Sequence, residues 1–185
     1  MVKELSAVRS REALSLGENT RKITLIALFG VAVFISKAFL PSPIDKMVVA
    51  VQALFLALGS LLSRRFGATS VAAIGAVLTI LVRPSLAFFT IAFALIYGLL
   101  TDGFISIFHV RAPRGDVRTI RLMAAMTVST AITGLASYYV TAHVLALVAR
   151  NPVLEITILL VGVVSGLLGG YLAMLIWRKA LRHIV

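Results

Sequence analysis

GATSVAAIGAVLTILVRPSLAFFTIAFALIYGLLTDG, residues 67–103, consists of two apolar runs separated by a single break at Arg83-Pro84. A proline disfavours helix at the residue before it, and an arginine is costly in hydrocarbon, so the chain turns here and both runs lie in a membrane as a helical hairpin. The first run, residues 67–82, rises roughly 24 Å as a helix, and the second, residues 86–108, roughly 35 Å, against a hydrocarbon thickness of about 30 Å. Both span if the shorter one packs tightly.

The flanking sequence has the same grammar. Residues 1–22 are polar, mix basic with acidic side chains and lack the apolar core of a signal peptide, and so form a cytoplasmic lead-in. Further spans follow at residues 23–40, ended by Pro41-Ser42-Pro43, and 47–63, ended by Arg64-Arg65. After the hairpin and a polar loop at residues 111–121, spans at 122–148 and 153–177 complete the chain. The predicted architecture is all-α: a compact six-helix transmembrane bundle over residues 23–185, with both termini cytoplasmic.

Composition agrees with that class. At 60% hydrophobic and 14% charged residues, with mean hydropathy +1.04, the 185-residue chain is far more apolar than a soluble domain. A net charge of +11 would suit a nucleic-acid partner only if the cations shared one solvated face; here they punctuate apolar runs, and no nucleic acid is expected. With the amino terminus inside, the inner segments carry fourteen cations (Lys3, Arg9, Arg11, Arg21, Lys22, Arg64, Arg65, Arg111, Arg114, Arg118, Arg121, Arg178, Lys179, Arg182) and the outer side four (Lys37, Lys46, Arg83, Arg150). Cytoplasmic loops of membrane proteins carry that excess.

Small residues recur at fourfold spacing: Gly162, Gly166 and Gly170, the adjacent Ser165, Gly169 and Ala173, then Ala53 and Ala57, and Ala68, Ala72 and Ala76. Such lines let helix backbones approach closely, within one chain or between copies. Ser129, Thr133, Ser137 and Thr141 form a hydroxyl line on the fifth span, suited to bonding its own helix or a ligand. On the fourth span Asp102 places a carboxylate in the inner membrane, either as a functional group or paired with Arg111, Arg114 or Arg118.

The outer helix ends collect the remaining polar chemistry. Lys37, Asp45, Lys46, Gln52, Arg83, Asn151 and Glu155, with Phe89, Tyr138, Tyr139 and His143 nearby, are the candidate substrate-binding set. They offer ionic contacts and stacking surfaces to a small ring compound. Lys37, Lys46 and Arg83 suit an acidic or carbonyl-rich group, whereas a cationic ligand would recruit Asp45 or Glu155. No phosphate-binding loop and no HExxH pair is present, and the three histidines are scattered. No enzyme activity, metal site or cofactor is therefore expected.

The run SPIDKMVVAVQALFLALGSLLSRRFGATSVAAIGAVLTILVRPSLAFFTIAFALIYGLLTDG, residues 42–103, within six spans of a short chain, resembles the substrate-binding S components of energy-coupling factor (ECF) transporters. The resemblance covers residues 23–177 and is one of layout. It implies a prokaryotic plasma-membrane protein that captures a vitamin or related micronutrient at its outer side. It further implies a membrane coupling subunit and two ATPases as partners, docked through small residues on the first helix. Ala27 and Gly30 are the small residues here, with Val31 where the family's second alanine would stand. The alternatives are a self-sufficient secondary transporter and a non-transport assembly protein.

Overall fold

A computed structural model describes residues 2–38, 49–63, 65–82, 84, 87–111, 116–144 and 152–181. Among them are six helices: α1 (Val2–Ala38), α2 (Val49–Leu62), α3 (Gly67–Val82), α4 (Ala87–Ile107), α5 (Thr119–Tyr139) and α6 (Pro152–Lys179). A π-helical turn, Val140–Val144, extends α5. The expected all-α class is observed. The lead-in boundary drawn at Lys22 falls inside one continuous helix, since α1 runs unbroken through it.

α1, α4, α5 with its π turn, and α6 each contain a stretch long and apolar enough to cross a membrane; α2 and α3 are shorter apolar helices. Large apolar side chains also cover the outside of the bundle, among them Leu81, Phe88, Ile156, Leu160, Val164 and Leu168. Buried Gln52, Ser60, Thr101, Ser129 and Thr130 lie inside it. An apolar exterior of this extent is stable in lipid and not in water, so the chain is a membrane protein.

The hairpin of α3 and α4 forms as expected, but the centre of the bundle is α2. Its sequence VAVQALFLALGSLL is apolar nearly all round, and Gln52 to Leu54 and Leu56 to Leu62 are buried. A helix with no polar face is one surrounded by other helices. α2 packs on each of the other five, while α1, α3, α4, α5 and α6 follow one another in an arc around it.

Bare backbone sets the spacing of that arc. Gly30 of α1 faces Ile74 of α3, Gly98 of α4 lies on Thr69 of α3, and Gly169 of α6 lies on Ala50 and Ala53 of α2. Gly162, Gly166 and Gly170 all face α5. The small-residue lines of α6 are thus used within the chain. At the tight turn between α2 and α3, Gly67 meets the carbonyl of Gly59 so closely that neither position admits a side chain there, and Phe66 adopts a left-handed φ of 58°.

That turn is closed by two charges. The Asp102 carboxylate accepts hydrogen bonds from Ala68 N (3.1 Å), Thr69 N (2.9 Å) and Thr69 Oγ1 (2.8 Å), capping the amino end of α3 from α4. Arg111 donates to the carbonyls of Ser60, Leu61 and Ser63 at the carboxyl end of α2. Each charge opposes the partial charge of its helix end. Asp102 and Arg111 thus serve neighbouring helix ends, the amino end of α3 and the carboxyl end of α2.

Candidate functional site

Helix α5 and helix α6 are closest in their middle. A Cβ on Gly166 would lie 2.5 Å from Thr127 Cα, whereas one on Gly162, a turn toward the amino end of α6, would lie 3.1 Å from Ala131 Cα. At Gly134 the nearest atom is a side-chain methyl of Ile158, at 3.4 Å. The two helices therefore splay toward the end where α1 finishes and α2 begins. The space between them, closed by α2 and α4, is a cavity of about 450 Å³.

Its walls come from five helices: Lys37 of α1; Val49 and Gln52 of α2; Phe93, Ala94 and Tyr97 of α4; Thr130, Thr133, Gly134, Ser137, Tyr138 and Thr141 of α5 and its π turn; and Leu154, Thr157, Ile158, Val161 and Gly162 of α6. Along α5 the lining extends about 16 Å and along α6 about 12 Å, roughly half of a bilayer core. Beneath it, Leu56, Leu58, Leu122, Met126 and Ser129 are fully buried. The cavity ends in a packed floor.

Hydrogen-bond logic fixes what the floor and wall offer. Thr130 donates its one hydroxyl proton to the Met126 carbonyl at 2.7 Å, so Tyr97, 2.9 Å away, donates to Thr130 Oγ1. The Tyr97 oxygen then presents lone pairs. Thr141 likewise donates to the Ser137 carbonyl at 2.7 Å and keeps its acceptor capacity. Thr133 Oγ1 is buried with no partner among the described residues. A buried hydroxyl without a partner carries a desolvation penalty of about 1–3 kcal/mol, which a bound polar group would relieve.

Of the sequence-predicted substrate-binding residues, the structure brings Lys37, Gln52 and Tyr138 to the cavity. Phe89, Tyr139, His143 and Glu155 are not among its lining residues. Phe89 makes an edge contact with Phe88 (5.7 Å), and Tyr139 is exposed and stacked on His143 at 4.3 Å across the π turn. Asp45, Lys46, Arg83 and Asn151 lie outside the described residues. Gly30 is buried against Ile74, and Ala27 is half-buried, so the face of α1 carrying Gly30 is occupied by α3 within the chain.

Three members of the hydroxyl line, Thr133, Ser137 and Thr141, belong to the cavity; Ser129 bonds back to Ala125 beneath it. Phe93 and Tyr97 were missed by sequence reasoning, although a tyrosine in mid-span signals a buried polar partner. A second cavity of about 220 Å³ lies at the opposite end, lined by Ser60, Asp102, Ile105, Ser106, His109, Val110 and Arg111. Its two charges are the helix-end caps described above.

The chain matches no protein-family model, no curated protein and no solved structure. Its functional reading therefore rests on its own residues and geometry.

Proposed function

We propose that this protein is a membrane-embedded substrate-capture subunit, of the kind represented by the S components of ECF importers, in a prokaryotic plasma membrane. It takes a vitamin or related micronutrient from the outer side and hands it to a coupling subunit driven by two ATPases. The observation that carries this reading is the one-ended cavity. It is roomy and hydroxyl-lined where α5 and α6 splay, and it stops at mid-bundle against fully buried side chains. A site that binds at one face and is sealed toward the other suits capture with release driven by a partner. A self-sufficient transporter is commonly built from inverted repeats with broken helices at the midplane, a pattern the sequence does not display.

The size of the cavity supports a small ligand. About 450 Å³ lies in the lower part of the usual range for small-molecule sites, roughly 300–1,000 Å³. The test is calorimetry of the purified chain against a panel of water-soluble vitamins, followed by reconstituted uptake with and without ATPase partners. Saturable binding by the isolated chain, with uptake only when the partners are present, is the expected outcome. Uptake by the chain alone would replace this reading with that of a secondary transporter.

A further inference from the structure

The chemistry of the cavity wall narrows the ligand class. Among the described lining residues Lys37 is the only charged side chain, and no carboxylate accompanies it. It sits in the last turn of α1, at the wide end of the cavity, with Gln52 also in the lining. Farther in, the wall is mostly apolar, with Phe93, Ile158 and Val161. The polar groups there are hydroxyls, of which Tyr97 and Thr141 have spent their protons within the protein.

We infer that the ligand is a small organic monoanion, a carboxylate or its equivalent, with a largely apolar or aromatic body. This deepens the capture reading and rests on it. The anionic head pairs with Lys37 at the mouth, and the body lies along Phe93 and the hydroxyl face of α5. In a site of low dielectric a cation with no carboxylate beside it among the described residues favours an anion, because the screening that weakens such a pair in water is reduced. A cationic ligand would meet Lys37 with no described carboxylate in the wall to offset it.

The chain has no cysteine, so a single reporter thiol can read the charge of the cavity directly. Ser137→Cys is placed in the wall, and the full-length protein in lipid nanodiscs is reacted with anionic sulfonatoethyl and cationic trimethylammonioethyl methanethiosulfonate. The rate ratio is normalised to that of free mercaptoethanol. The expected result is a preference for the anionic reagent of at least about ten-fold. It should fall to about one when Lys37→Met is added and persist with Lys37→Arg. Phenylbutyrate should slow labelling by neutral methyl methanethiosulfonate more than phenylbutyramide does, and phenylbutylamine should not slow it.

A normalised ratio near one with Lys37 present, a ratio unmoved by Lys37→Met, or protection by the amine equal to that by the carboxylate overturns the anionic assignment. Each of these outcomes leaves the cavity standing as a capture site. If no reagent reacts until the protein is unfolded in detergent, the cavity is closed to solutes and the capture reading itself fails.

Discussion

Replacing Gly166 by alanine tests the packing that creates the cavity. The added Cβ would lie 2.5 Å from Thr127 Cα, 2.8 Å from Thr127 N and 2.8 Å from the Met126 carbonyl oxygen. All three are backbone atoms, so no rotamer change relieves the clash. Carbon atoms sit about 3.5–4.0 Å apart at contact, so α5 and α6 must separate by about 1 Å. Overpacking of this kind costs up to about 3 kcal/mol, offset by about 1 kcal/mol from removing a helical glycine. Gly134→Ala is the matched control. Its nearest atom is the Ile158 methyl at 3.4 Å, an ordinary contact, so it keeps the propensity gain without the clash. The propensity gain cancels between the two variants, leaving a difference of about 3 kcal/mol. For a chain of this size that is roughly 6–12 °C in unfolding temperature. Thermal unfolding in one detergent, followed by Trp177 fluorescence, measures it. Equal unfolding temperatures for the two variants would refute the close α5–α6 crossing and with it the account of how the cavity opens.

Asp102→Ala should destabilise the protein by about 2–3 kcal/mol, because Ala68 N and Thr69 N lose a charged acceptor, while Asp102→Asn should cost about 1 kcal/mol. A lower unfolding temperature with ligand affinity preserved is the expected result; wild-type stability with transport abolished would make the carboxylate functional instead of structural. Arg118→Cys, at an exposed position before α5, should be protected from an impermeant thiol reagent in intact cells and react in inside-out membrane vesicles. Labelling from outside would invert the topology read from the cations.

Fold class and helix positions were legible in the sequence because each depends on local features. Apolar runs broken by proline and arginine placed α3 at Gly67–Val82, and the expected bounds of α2, α4 and α6 differ from the observed ones by a few residues or less. The central position of α2 was harder to read. A helix surrounded by protein and one surrounded by lipid are both apolar all round, so its sequence does not distinguish them.

Part of the cavity lining was legible in the sequence. Lys37, Gln52 and Tyr138 stood out as polar or amphipathic groups near helix ends, and all three line the cavity. Tyr139 and Glu155 stay out of the lining because neighbours along a helix face different directions. Tyr138 lines the cavity while Tyr139 does not, and Leu154 lines it while Glu155 does not, each pair being about 100° apart around its axis. Phe93 replaces Phe89 for a different reason: the two share a face, but the cavity begins one turn deeper. That depth is set by where α5 and α6 separate, and the separation is set by three glycines, Gly162, Gly166 and Gly170, whose spacing predicts close approach but not its partner or its end point. The same fact explains the divided fate of the hydroxyl line. Ser129, level with the tight crossing, bonds its own helix and is sealed in, whereas Thr133, Ser137 and Thr141 lie beyond it and line open space. One periodic pattern thus gives packed structure below the crossing and a cavity wall above it.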